Sequence, residues 1–215
     1  MIVIVDYGMG NLRSAQKGFE KGGHEAVISD DPKDIERAEG VVLPGVGAFK
    51  DCYEGLEARG FVEPLIDYAE SGRPLFGICV GMQLLFEESS EGEGSLGLGI
   101  LPGKVVRFQD ASETGLKVPH MGWNVLETVP SAPCPLLRDV SARPHVYFVH
   151  SYYPEPASGE IVYATADYGV KFAALVGRDA VYGAQFHPEK SQREGIAILK
   201  AFGDLVQESA KSVKL

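Results

Sequence analysis

Pro74-Leu75-Phe76-Gly77-Ile78-Cys79-Val80-Gly81-Met82-Gln83-Leu84-Leu85-Phe86 decides how this chain folds. The apolar run Leu75 to Ile78 reads as a buried strand. It stops at Cys79, and Met82, Leu84, Leu85 and Phe86 continue with helical spacing. Gly77-x-Cys79-x-Gly81 is therefore a strand, a sharp turn and a helix with a thiol at the apex, the layout of a nucleophile elbow with Cys in the serine's place. Glycines on both sides suit a strained turn with no room for Cβ. The alternative is a cysteine acting as a small core hydrophobe, the commoner fate of a free thiol. The elbow alone does not decide between the two, because a nucleophile also needs a base.

Outward from the elbow, the N-terminal half repeats β-α. Met1-Val5, Glu25-Ser29 and Gly40-Leu43 read as strands, alternating with helices over Leu12-Lys21, Asp30 onward, Ala48-Arg59 and Val62-Glu70, with the elbow helix running from Val80 to Glu88. That alternation predicts a mostly parallel central sheet flanked by helices. Gly8-x-Gly10 follows the first strand but lacks the third glycine of a dinucleotide loop, so it reads as a plain turn. Glu91 to Gly99 is glycine-rich, lacks a Lys-Ser/Thr ending, carries two glutamates and reads as a loop, not a phosphate cradle. After residue 100 the texture changes to short Val-, Tyr- and Phe-rich strands. These are Lys104-Phe108, Trp123-Leu126, His145-Tyr153, Ile161-Thr165, Phe172-Val176 and Ala180-His187, with a hairpin turn at Gly177-Arg178-Asp179 and a closing helix from Ser191 to about Glu208. The expected fold is α/β, with added antiparallel strands in the C-terminal half. With no repeat and no linker, residues 1–215 are expected to form one domain.

Composition narrows the function. A net charge of -10 argues against a nucleic-acid partner. No apolar run reaches the roughly 18 residues of a membrane span, and the N-terminus has no basic leader. The three cysteines, Cys52, Cys79 and Cys134, are an odd count with no C-x-x-C pair, which fits a reducing cytoplasm and no structural zinc. No ligand spacing for a metal is seen, and no cofactor is expected.

His187-Pro188-Glu189 supplies the missing base. In extended chain, residues i and i+2 point the same way, so a carboxylate can orient the imidazole. His24, His120, His145 and His150 have no such spaced carboxylate and read as structural or surface residues. Cys79, His187 and Glu189 thus form a candidate triad. A thiolate attacking a carbonyl also needs an oxyanion hole. The Val80 N–H follows the nucleophile at a helix N-terminus that favours negative charge, and Gly45-Val46-Gly47, ending the neighbouring strand, can present a second N–H.

Gly77-Ile-Cys-Val-Gly-Met-Gln83 together with His187-Pro-Glu189 resembles the class I glutamine amidotransferases, which hydrolyse glutamine to glutamate and ammonia. Asp6-Tyr-Gly-Met-Gly-Asn11, Pro44-Gly-Val-Gly47, Pro119-His-Met-Gly-Trp-Asn124 and His187-Pro-Glu-Lys-Ser191 are similar to members that serve histidine biosynthesis. The resemblance runs from residue 1 to about residue 205. It implies Val46, Gly47 and Val80 as oxyanion donors, and Gly47, Gln83, Ser151 and Tyr152 as glutamine-holding positions. It implies a heterodimer with a (β/α)8-barrel cyclase that receives the ammonia, with Asn11, Met121, Trp123 and Lys190 near that interface. Two plainer readings stay open: Gln83 on an exposed helix face, and Trp123 in the core. Three other functions compete: the glutaminase of a different amidotransferase, a stand-alone cysteine hydrolase, and a noncatalytic regulatory half.

Overall fold

A computed structural model describes residues 1–92, 94–109, 115–130 and 132–212. Its centre is an eight-stranded sheet, built first from β1 (Ile2–Val5), β2 (Ala26–Ser29), β3 (Gly40–Gly45) and β4 (Leu75–Cys79). These strands are parallel in the order β2-β1-β3-β4. All four residues of β1, all six of β3 and all five of β4 are buried. That explains their continuous apolar runs, since a strand covered on both faces has no polar side to alternate with.

The helices α1 (Leu12–Lys21), α2 (Lys33–Arg37), α3 (Phe49–Ala58), α4 (Val62–Glu70) and α5 (Val80–Leu84) make the crossovers. The step β1-α1-β2 moves one way along the sheet and the later steps move the other way. Right-handed crossovers therefore place α1 on one face and α2, α3 and α4 on the opposite face. The chain reverses direction between β1 and β3, the topological switch where sheets of this class open a crevice at their strand ends.

After α5 the chain adds β5 (Glu88–Ser89), β6 (Ser95–Leu96), β7 (Gly103–Arg107), β8 (His120–Val125), β9 (Glu127–Thr128), β10 (His145–His150), β11 (Tyr152–Pro156), β12 (Val162–Asp167), β13 (Lys171–Arg178) and β14 (Val181–Ala184). β14 lies parallel to β4, and β13, β12 and β9 follow antiparallel to complete the order β2-β1-β3-β4-β14-β13-β12-β9. β10 pairs with β8 in a two-stranded ribbon, and β11-β7-β5-β6 form a third sheet. The closing helix α6 (Gln192–Ser212) packs on the α1 face. Phe202 touches both Phe19 and Phe76 there.

Several boundaries differ from the sequence expectation. The stretch His145–Tyr153 is two strands in different sheets, because the buried phase slips after His150: Val146, Phe148 and His150 face inward, then Tyr153 and Pro154. A one-residue slip exchanges faces and ends one pairing. Ala180–His187 is paired only from Val181 to Ala184. The elbow helix ends at Leu84, where i→i+3 bonds from Leu85 and Phe86 tighten the chain before β5. The predicted loop Glu91–Gly99 contains β6, and its Glu93 lies outside the described residues. The hairpin turn sits at Asp179 and Ala180, with φ of 55° at Asp179, and Gly177 is inside β13. Among the described residues, no helix is long and apolar enough to cross a membrane.

Candidate active site

Three neighbouring parallel strands bring the site together. In register, Gly45 of β3 stands beside Cys79 of β4, and Ile78 stands beside Ala184 of β14, three residues before His187. Residues far apart in sequence thus share one end of the sheet.

Cys79 has φ of 56° and ψ of -113°, a strained backbone for a residue with a side chain. The elbow forms because the residues flanking it carry no side chains. A Cβ on Gly81 would fall 1.9 Å from the Leu43 carbonyl oxygen, and one on Gly77 would fall 2.6 Å from that of Gly81. The glycines are there for close backbone approach. The thiol is buried, with Sγ 3.9 Å from the Val149 carbonyl oxygen and 3.9 Å from the Gln185 amide nitrogen.

His187 is held by its turn. Its backbone N–H donates to the Tyr147 carbonyl at 2.9 Å, and the Ser191 hydroxyl donates to its carbonyl at 2.6 Å. Nδ1 lies 2.8 Å from Glu189 Oε1, and both side chains are 2% exposed. The reason differs from the extended-chain expectation. Pro188 to Lys190 form a single 3₁₀ turn, closed by the Lys190 N–H on the His187 carbonyl. The carboxylate reaches the ring by folding back. With Nδ1–H donating to Glu189, Nε2 is left to exchange protons. Nε2 has no hydrogen-bond partner among the described residues, yet Cys79 is close enough to raise its proton affinity. Burial lowers that affinity, but the thiol and Glu189 outweigh it and lift the His187 pKa to about 9.

A cavity of about 600 Å³ opens over this pair. Asn11, Val46, Gly47, Val80, Gln83, Ser151, Tyr152 and Lys190 line it with Cys79 and His187. Gln83 is 2% exposed, which removes the exposed-helix reading; its amide donates to the Tyr152 carbonyl at 2.9 Å. Gly47 has φ of 95°. The Val46 carbonyl accepts from the Cys52 thiol at 3.3 Å on α3. The Gly47 N–H, antiparallel to that carbonyl across one trans peptide, is therefore aimed away from α3. Asn11 and Lys190 reach the cavity rim, while Met121 and Trp123 are 62% and 48% exposed on β8, outside it. Trp123 is thus not a core residue.

Residues that the sequence did not assign to the site also line or frame the cavity. Glu91 caps α3 by accepting the Phe49 N–H at 2.8 Å. Gln185 lies fully buried between Gln83 and Cys79. His120 and His150, read as structural or surface, are buried and bonded to each other at 3.0 Å. No carboxylate sits at i+2 from His120, His150 or Gln185, so pattern spacing carried no signal for them. Among the described residues, no three His, Cys, Asp or Glu side chains are grouped to hold a metal.

The profile of the Glutamine amidotransferase class-I family matches residues 3–204. The "Imidazole glycerol phosphate synthase subunit HisH" of Syntrophotalea carbinolica is 57% identical over 208 residues, covering 95% of this chain and all of that protein. The protein of the same name in Geobacter sulfurreducens is 53% identical over 207 residues, covering 95% and 98%. Among solved structures, a glutamine amidotransferase aligns with a TM-score of 0.72 at 23% identity, covering 96% of this chain and 100% of that one. PurLQS from Thermotoga maritima aligns at 0.67 and 21%, covering 100% and 98%. At those identities the structures speak to the fold alone.

Proposed function

The chain belongs to the Glutamine amidotransferase class-I family, and from that premise we propose that it is the glutaminase subunit of imidazole glycerol phosphate synthase, working in histidine biosynthesis. One observation carries the catalytic part: a thiol on a strained elbow beside a carboxylate-oriented imidazole, both facing one cavity. The Cys79 thiol gives its proton to His187 Nε2, and the sulfur attacks the side-chain amide carbon of glutamine. The oxygen becomes an oxyanion, which the Val80 N–H and the Val46 and Gly47 backbone stabilise. His187 passes the proton to the departing nitrogen, and ammonia leaves a glutamyl thioester on Cys79. Water then attacks the thioester carbon while His187 takes its proton. Glutamate leaves and the proton returns to sulfur. Glu189 keeps Nδ1 protonated throughout, so Nε2 alone does the exchange. Gln83, Ser151, Tyr152 and Gly47 hold the substrate.

The ammonia goes to a partner subunit, which we assign as a (β/α)8-barrel cyclase forming a heterodimer with this chain. It joins the nitrogen to a ribotide, giving imidazole glycerol phosphate and an aminoimidazole carboxamide ribotide. Met121 and Trp123 support an interface on β8, because a Trp half in water is a typical anchor for a partner. Asn11 and Lys190 at the cavity rim extend that face toward the site. Residues 1–215 act as one domain, and the three free cysteines fit the cytoplasm. Glutaminase activity measured on the chain alone, and then with the cyclase and its ribotide, tests this. Strong activation by the two together supports the reading; high activity alone, or peptide cleavage, overturns it.

A further inference from the structure

Four polar side chains are buried between β8 and the nucleophile: His120 and His150, with Gln83 and Gln185. Apolar side chains would fill the same space at less desolvation cost, so their arrangement needs a reason. Their bonds form one continuous chain. The Asn124 amide lies 3.4 Å from His120 Nε2, His120 Nδ1 lies 3.0 Å from His150 Nε2, and His150 Nδ1 lies 2.8 Å from the Tyr152 carbonyl oxygen. Gln83 Nε2 donates to the same carbonyl at 2.9 Å and to Gln185 Oε1 at 3.0 Å. Gln185 Nε2 then reaches Cys79 Sγ.

The direction of every bond follows from one atom. The Tyr152 carbonyl can only accept, so His150 donates from Nδ1 and accepts at Nε2. His120 must then donate from Nδ1 and accept at Nε2 from Asn124. The same carbonyl fixes the Gln83 amide nitrogen, which sets the Gln185 oxygen toward Gln83 and its nitrogen toward sulfur. Burial holds both rings neutral, His150 down at about 3 and His120 at about 4, so each has a single tautomer. The His120 ring is stacked between Phe148 and Tyr168.

The outer end of the chain is also placed. Along β8, His120 and Asn124 turn inward while Met121 and Trp123 are exposed, and His120 is paired directly with His150 of β10. His120 and His150 thus link β8 to the Tyr152 carbonyl, which β11 also holds through its pairing with β7.

We propose that His120, His150 and Gln185 are positioning residues of the glutaminase site: they form a one-way hydrogen-bond chain that fixes the Tyr152 carbonyl and the Gln83 amide beside Cys79 and ties both to β8. This rests on the glutaminase reading above. The chain is distinct from the triad, since it moves no proton in the reaction and acts through Tyr152, Gln83 and the thiol.

The test compares two substitutions at each imidazole in the complex with its partner. Asn keeps a donor at the Nδ1 position; Leu keeps more of the ring's volume but no donor. Expected are a rise in KM for glutamine of about tenfold or more for His120→Leu and His150→Leu, and values within about threefold of wild type for His120→Asn and His150→Asn. A purely structural role gives the reverse order, since Asn leaves the larger void. Gln185→Met is expected to raise KM as the Leu variants do. Ammonium-dependent synthesis and alkylation of Cys79 by iodoacetamide stay within about twofold of wild type in the imidazole variants, which separates positioning from loss of folded protein. An active wild type whose Leu variants keep the wild-type KM, or whose Asn variants raise KM more than the Leu variants do, overturns this assignment alone. A wild-type complex inert toward glutamine overturns both it and the glutaminase reading.

Discussion

At Cys79 the backbone is strained at φ 56°, and that strain sets the buried thiol at the C-terminal end of β4, against the cavity. Replacing it by Ala is expected to abolish glutamine-dependent synthesis, by about 10³-fold or more, while synthesis from added ammonium persists. Loss of both would mean that Cys79 holds the complex together. At His187 the sign of the pH dependence follows from its raised pKa. Burial opposes protonation, but Cys79 and Glu189 prevail and set the folded value at about 9, above the ordinary 6.5. Between those values the folded state binds more protons than the unfolded state. The stabilisation is complete below about 6.5 and is lost as pH rises through about 9. Urea midpoints measured from pH 6 to 10 should fall along that range, and Glu189→Gln should flatten the slope. An unchanged slope would remove Glu189 as the partner that holds the proton.

At the scale of elements, the β4-α5 elbow stands on its glycines. Gly81→Ala would set a Cβ 1.9 Å from the Leu43 oxygen, backbone against backbone, where no side chain can give way. It is expected to cost at least about 3 kcal/mol of stability, read as a lower denaturant midpoint. Gly23→Ala is a useful contrast: a Cβ there meets nothing within 4 Å, so only its φ of 86° is strained. A loss comparable to that of Gly81→Ala would show that the elbow's crowding is not what matters. β10 carries Tyr147, whose carbonyl anchors His187, and pairs with the β8 strand that carries Trp123. One ribbon therefore touches the proposed base on one side and the proposed interface on the other.

For the whole molecule, the exposed Met121 and Trp123 separate folding from assembly. Trp123→Ala removes only the covered half of one ring, edge-on to Tyr147, so the melting temperature of the isolated chain should fall by no more than a few degrees. Affinity for the partner subunit should drop about 30-fold or more by calorimetric titration. A large stability loss with unchanged affinity would return Trp123 to a structural role.

The parallel half was legible because its strands are covered on both faces, leaving unbroken apolar runs and glycine-marked ends. The elbow was legible for a local reason: Gly77, Cys79 and Gly81 lie within five residues, and the steric demand they meet is a backbone demand. His187 and Glu189 were adjacent enough to be paired, although a 3₁₀ turn, not extended chain, joins them. The sequence by itself determined these, because short-range geometry and binary pattern settle them. Only the tertiary structure decided what stands across from what. Gly45, Cys79 and Ala184 became neighbours through sheet order, and Gln83 became buried because β11 covers it. His120 met His150 because two strands 30 residues apart chose that register. A hydrogen bond between remote side chains leaves no periodicity in either strand, so its direction and its partners exist only once the chain is folded.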